Sequence, residues 1–381
     1  MLGRSRVARV TIAVVVAVGG GALVLRAFGG VDWRRTIHAI AAIGPLAPLV
    51  FVPFFLAMVV DCLGLRILLE TLGRSVSIAR LLPIRIGTEA LHVTAPAGFL
   101  VADSVTATIL DVRCGVPLAE GAMLAVARKW LVMRGHSFYI VLGTAAGATA
   151  LADVSQRHFG GPWLPWAVGL SALAPMVLSI GIGTGFRGRP AFARILSPLG
   201  RAHPSRSVST RGPTWAWSKL RDRAHRWGAG AATLDARLAR IGSARRATWA
   251  AAAAFFVCWL LESVDTAIVL RLVGGPLDWS LAFAAEVAIS MLRSVGNMAP
   301  VGLGVQDAGY ATLFRSMGLS PEGSVAFVLV KRGKELVWIA IGYTLLALLR
   351  RSGSAASRPQ DPAHVHGPTP PNVPALPGLG C

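Results

Sequence analysis

Apolar positions in this chain run in long blocks. They do not alternate as in a strand, nor keep to one stripe as in a soluble helix. The blocks cover about 8–28, 44–69, 118–150, 161–183, 248–272 and 322–349. A helix needs roughly 20 apolar residues to cross about 30 Å of hydrocarbon. Six membrane-spanning helices are therefore expected. Arg4, Arg6 and Arg9 precede the first block, which runs from Val10 to Leu25. That resembles a secretory leader. Without a small-x-small cleavage site, and with more spans behind it, it reads as an uncleaved first span. The segment 31–43, with Trp33, Arg34 and Arg35, reads as an interfacial helix.

Two stretches are too polar and too broken to be ordinary spans. In 76–113, Arg80, Pro83, Arg85, Glu89 and His92 lie in a first arm. Pro96 and Gly98 interrupt it, and Phe99 to Val112 form a second arm. The stretch 278–317 has two similar arms around Pro300 and Gly302. Short arm, break and short arm predict a re-entrant helical hairpin, with a pair of poor ordinary spans as the alternative. Irregular backbone at membrane depth needs cover from protein or a wet cavity.

The two broken stretches are copies. "APAGFLVADSVTAT" (95–108) and "APVGLGVQDAGYAT" (299–312) share seven of fourteen positions at an offset of 204 residues. Over 51–142 against 255–346 the same offset gives 18 identities in 92. The informative matches are costly ones: Asp61 with Asp265, Asp103 with Asp307 and Arg128 with Arg332. Pro96, Gly98 and Pro117 match Pro300, Gly302 and Pro321, and Tyr139 matches Tyr343. A charge within a span costs several kcal/mol unless paired or wet, so its recurrence in register signals duplication. Each unit reads as span, hairpin, span. Three crossings separate the unit starts, so the units point in opposite directions. Inverted repeats with broken helices are a transporter architecture.

Composition changes this picture little. Hydrophobic residues make up 54% of the chain and charged ones 15%, with a formal net charge of +20. The positive charge sits beside the spans, where the positive-inside rule and anionic lipid account for it better than nucleic acid does. From Arg187 to Arg246 there are fourteen Arg or Lys and two acids, Asp222 and Asp235, interleaved with Trp215, Trp217 and Trp227. This reads as a membrane-surface segment, or as a solvated linker that sets topology. The N-terminus, this loop and Arg350–Arg351 are expected in the cytoplasm. The first hairpin then opens to the cytoplasm near Arg74, Arg80 and Arg113, and the second to the other side. The expected organisation is an N-terminal and interfacial helix (1–43), unit one (44–150), a connecting span (151–183), a basic loop (184–247), unit two (248–349) and a disordered tail (350–381). Cys62, Cys114, Cys258 and Cys381 form no CxxC pair, so no disulfide framework or zinc site is indicated.

The polar residues inside the units are the candidate chemistry. Half-helices starting after Pro96–Gly98 and Pro300–Gly302 present N–H groups and partial positive charge, which bind anions. The alternative is a packing break. Arg128 and Arg332 are read as pairing with Asp103 and Asp307 of their own units, either structurally or to hold a guanidinium for a lipid phosphate. Asp61 and Asp265 read as a polar relay or a helix–helix hydrogen bond. Glu89 and Arg293, matched with opposite sign, are candidates to pair across the units. Glu335 is placed to satisfy Lys331 at i,i+4 spacing, and His92 reads as an interior histidine. Lys129, Arg134, His136 and Lys334 add positive charge to the spans. No nucleotide loop, HExxH or nucleophile elbow occurs. "HPSRS" (203–207) superficially resembles part of a lipid phosphatase signature, without its partner motifs.

"PAGFLVAD" (96–103), "RCGVPLAEGAMLAVARKW" (113–130) and "APVGLGVQDAGYATLFRSMGLSPEGSVAFVLVKR" (299–332) resemble the flippase-like family of the lysylphosphatidylglycerol synthase membrane domain. That family includes hopanoid-biosynthesis-associated membrane proteins. The resemblance spans roughly 45–349 and places Asp103 and Asp307 in the family's acidic positions. Gly304 keeps the second glycine in one unit. Thr106, Ala127, Val93 and Thr94 stand where family members commonly carry an arginine, an acid and an asparagine pair.

The resemblance implies translocation of an anionic phospholipid, hopanoid-type lipid or lipid-linked glycan between leaflets of a bacterial cytoplasmic membrane. No cofactor, metal or nucleic acid is expected. In fused synthases an aminoacyl-transferase domain follows the membrane part. About 30 residues follow the last span here, so lipid aminoacylation by this chain is not expected. The alternatives are a membrane-embedded lipid-modifying enzyme and a scaffold for a lipid or glycan synthase.

Overall fold

The computed structural model describes residues 21, 22, 25–95, 97–186, 236, 238–296 and 304–356. The first span lies largely outside them. So do Pro96, Pro300, Gly302, the loop from 187 to 235 and the tail from 357.

Every described regular element is helical. The interfacial segment forms α1 (Trp33–Ala41), capped by Asp32, whose carboxylate accepts from the Arg34 and Arg35 amides. A 3₁₀ turn over Gly44–Phe51 leads into α2 (Val52–Thr71). The first broken stretch forms α3 (Ile78–Thr94) and α4 (Gly98–Cys114), packed against each other. There follow α5 (Leu118–Ala146), α6 (Ala148–Phe159), α7 (Trp163–Ser171) and α8 (Leu173–Gly185). Unit two forms α9 (Arg245–Leu272), α10 (Trp279–Gly296), α11 (Val305–Ser316) and α12 (Pro321–Ala356).

By length and composition, three described stretches can cross a membrane: Gly44–Thr71, Trp163–Thr184 and Arg245–Leu272. The pair Leu118–Ala146 and Ala148–Phe159 makes a fourth if it counts as one span. It bends by 72° at its break, inside the block 118–150 expected to form one span. Gly147 sits at the bend because α10 comes close: a Cβ there would lie 2.7 Å from the Ala284 backbone. Outward-facing Phe55, Leu56, Leu63, Trp166, Leu170, Val177 and Ile180 give these helices a surface suited to hydrocarbon.

The packing of the two units follows the offset. Helices α2 and α9, which correspond, pack on each other and run antiparallel. Gly64 meets the Phe255 ring, and the Cys258 thiol donates to the Ala57 carbonyl at 3.3 Å. Small residues let such helices approach closely. The remaining contacts exchange partners: α3 packs on α12, and its counterpart α10 packs on α5, the counterpart of α12. Gly87 meets Leu346 and Gly342 meets Ala90 in the first pair; Gly143 meets Val287 and Gly147 meets Ala284 in the second. Both pairs are antiparallel. The loop ends of the two hairpins lie at opposite ends of α5. Arg74 bridges to Glu120 in its first turn at 2.8 Å, whereas Arg157 beyond its last turn donates to the Ser316 carbonyl at 3.1 Å.

The break between α3 and α4 is tight. Ala97 is left-handed at φ 52°, an unusual conformation for a residue with a Cβ. The next residue has room for hydrogen alone: a Cβ on Gly98 would lie 2.0 Å from the His92 carbonyl oxygen. The chain therefore reverses within a few residues and lays α4 back on α3.

Candidate functional site

In unit one the charges converge on one buried carboxylate. Asp61, midway along α2, is 3% exposed. Its Oδ2 accepts from Arg85 Nε of α3 at 2.6 Å. Its Oδ1 accepts from Arg128 Nε and Nη2 of α5 at 3.0 and 2.8 Å. Arg85 also donates to Thr88 Oγ1 at 3.1 Å and to Glu89 Oε2 at 3.0 Å. Buried guanidinium groups demand such partners, since an isolated ion in this setting costs several kcal/mol. Arg85 and Arg128 line a small cleft between α2, α3, α4 and α5, with Leu65, Asp103, Thr106, Gly121, Leu124 and Ala125. Gly121 lets α5 approach Ala107 of α4 there. Lys129 lies over the Phe99 ring, 5.2 Å from its centre, and so reaches the first turn of α4. Among the described residues, Arg128 Nη1 has no protein acceptor.

In unit two, Asp307 sits in the first turn of α11 and accepts the Gly304 amide at 3.1 Å. Arg332 of α12 donates from Nε to Asp307 at 2.6 Å and from Nη1 to Glu335. Glycine suits position 304, where φ is 92°. The carboxylate already occupies the positive end of this half-helix, so an incoming anion there must displace it. Deeper in the unit, Asp265 of α9 faces Lys334 at 2.5 Å and Lys331 at 3.7 Å. Lys331 also contacts Glu286 of α10 at 2.5 Å. Glu286 further accepts from Tyr310 at 2.8 Å and from the Thr266 hydroxyl.

These positions correct several expectations. Arg128 does not pair with Asp103; it reaches Asp61, 67 positions away on another helix. Asp103 stays half-buried on the cleft wall. Glu335 takes Arg332 in place of Lys331, because Lys331 is turned toward α9 and α10. Glu89 is held within its own helix by Arg85, with His92 Nδ1 3.4 Å away. The side chain of Arg293 lies outside the described residues. His92 is not interior: its side chain is 46% exposed. The Arg332–Asp307 pair is present as expected.

Sequence reasoning passed over Arg85 as an ion-pair partner, and Glu286, Thr266 and Tyr310 altogether. The isolated acid in "SLAFAAEVAISML" was the available signal for Glu286. Among the described residues no group of three or more His, Cys, Asp or Glu is placed to hold a metal ion.

A family model, that of the lysylphosphatidylglycerol synthase TM region, matches residues 10–342. No curated protein matches the chain.

Proposed function

The chain belongs to the family of the lysylphosphatidylglycerol synthase transmembrane region, and from that premise we propose that it moves an anionic phospholipid, hopanoid-type lipid or lipid-linked glycan between membrane leaflets. The observation that carries the reading is the cleft of unit one. Arg85 and Arg128 share the single carboxylate of Asp61 and both line the opening between α4 and α5. A phosphate is the acceptor that Arg128 Nη1 lacks. Asp103 and Thr106 on the facing wall of α4 suit the hydroxyl or amine groups of a headgroup.

The architecture in this reading is six spans with two re-entrant hairpins, arranged as inverted units. The antiparallel packing of α2 on α9, and the exchange of α3–α12 for α10–α5, support it. Rocking one unit against the other exposes the cleft to either leaflet. The cytoplasmic side is the end that gathers Arg74, Arg80, Arg113, Arg245, Arg246, Arg350 and Arg351, by the positive-inside rule. The chain then sits in the cytoplasmic membrane with both termini inside. Translocation requires no bond in the lipid to change, so no catalytic residue is assigned.

Arg128→Ala tests the site. Asp61 keeps Arg85, so the protein is expected to fold and purify. Loss of a charge-assisted contact worth about 1.5–3 kcal/mol lowers transfer by roughly tenfold or more. The measurement is reduction-based quenching of a fluorescent phosphatidylglycerol in proteoliposomes. Transfer equal to wild type removes Arg128 from the path.

A further inference from the structure

Arg315 lies in the last turn of α11. It follows Ala308 and Ala311 at i+7 and i+4, and both are buried, so its stem leaves from the packed face of the helix. Its Nε and Nη2 are fully buried, and neither has a hydrogen-bond partner among the described residues. These two nitrogens form one edge of the guanidinium, the edge that takes two oxygens side by side. Arg74 uses the same edge on Glu120, with Nε to Oε2 at 2.8 Å and Nη2 to Oε1 at 3.3 Å. Buried donors are almost always paired, because an unmade bond forfeits the hydration the group had in water. The repeated fold does not itself ask for a cation here: at the offset of 204, Arg315 corresponds to Asp111.

The surroundings put that edge at headgroup depth. Arg157 of α6 donates to the Ser316 carbonyl at 3.1 Å, so a second arginine reaches the same turn. Trp163 and Trp166 follow at the start of α7, and Trp279 opens α10; all three are exposed. The loop that leads to Trp279 packs Gly275 on Leu319, just past the end of α11. Exposed tryptophans gather where hydrocarbon meets headgroups. The oxygen pair that a guanidinium edge meets at that depth belongs to a lipid phosphate.

We propose that Arg315 binds the phosphate of a phospholipid in the leaflet at the loop end of the second hairpin. Two non-bridging oxygens accept from Nε and Nη2, as the Glu120 carboxylate does from Arg74. Arg157 adds a charge that favours an anionic lipid. The site is separate from the cleft of unit one, whose arginines stand on α3 and α5. It rests on the geometry of α6, α7, α10 and α11, and it stands apart from lipid movement; only the choice of leaflet follows from the orientation given above. A lipid held there ties the return arm of the second hairpin to the bilayer surface.

Native mass spectrometry of the delipidated full chain in detergent, titrated with phosphatidylglycerol, tests the site. At equal lipid concentration wild type is expected to retain one lipid more than Arg315→Gln. The same loss is expected in an Arg128→Ala background, which separates this site from the cleft. Diacylglycerol, which has no phosphate, is expected to bind both proteins alike. Thermal unfolding gives a second reading: phosphatidylglycerol raises the Tm of wild type by more than that of Arg315→Gln. In lipid-free detergent Arg315→Gln is expected to melt no lower than wild type, because it removes a buried charge that no protein group holds; misfolding therefore does not imitate the result. Equal retention of phosphatidylglycerol by the two proteins overturns the proposal. So does a lipid-free Arg315→Gln that melts far below wild type, since a protein acceptor then holds the guanidinium. Inorganic phosphate that protects wild type as well as phosphatidylglycerol does overturns the lipid and leaves a soluble anion as the ligand.

Discussion

Asp61 and Asp103 lie in one small region and carry the same charge, yet their surroundings assign them different work. Asp61 is buried and compensates two guanidinium groups. Asp61→Asn removes the carboxylate the two cations share, leaving Arg85 with Glu89 alone and Arg128 without a carboxylate among the described residues, at a cost of about 3–5 kcal/mol. A clear fall in the detergent-solution melting temperature is the expected result. Asp103 is half-buried on the cleft wall and holds neither arginine. Asp103→Asn is expected to melt as wild type does while changing lipid transfer. Equal melting of the two variants contradicts this division. The chain signalled that Arg128 needs an acid, because an arginine in a span always does. It did not signal which one. The nearest acid by position lost to one on a different helix, since α5 turns Arg128 toward α2. Lys331 and Glu335 show the same effect within one helix: suitable i,i+4 spacing did not outweigh buried carboxylates on α9 and α10.

At the scale of elements, the break between α3 and α4 is where local chemistry decides most. Ala97 adopts a left-handed conformation at a cost of about 1 kcal/mol, so Ala97→Gly is expected to raise stability slightly. Gly98→Ala acts in the opposite direction. Its methyl group runs into the His92 carbonyl, so α4 must move off α3. Thermal unfolding of the two single variants checks the signs; a destabilised Ala97→Gly contradicts the conformation. The proline-glycine phrase placed this break correctly in the chain, because glycine and proline act through their own backbone. The bend at Gly147 had no comparable mark. It depends on Ala284 arriving from α10, and a run of apolar residues reads the same whether straight or bent.

For the whole molecule, the arrangement of the units makes two demands. Ala57→Cys is expected to cross-link to the native Cys258 with a short bifunctional reagent, because α2 and α9 meet there. Single cysteines replacing Arg113 and Ser316, in a background without native cysteines, are expected to react from opposite faces of sealed, oriented vesicles. They stand at the loop ends of the two hairpins, which lie at opposite ends of α5. Labelling from one face contradicts inversion and, with it, alternating access between equivalent units.

What the sequence by itself determined is what each residue decides through its own transfer energy and backbone. That covers the positions of the described apolar helices, the proline-glycine break between α3 and α4 and the register of the duplicated polar residues. Helical class and membrane character follow from these terms, because transfer into hydrocarbon accumulates residue by residue. The tertiary structure alone decided which charges meet. One carboxylate serves two arginines in unit one, and one lysine stands between two carboxylates in unit two. Ion pairing depends on the facing of helices distant in the chain, and duplicated sequences diverge most easily in that facing.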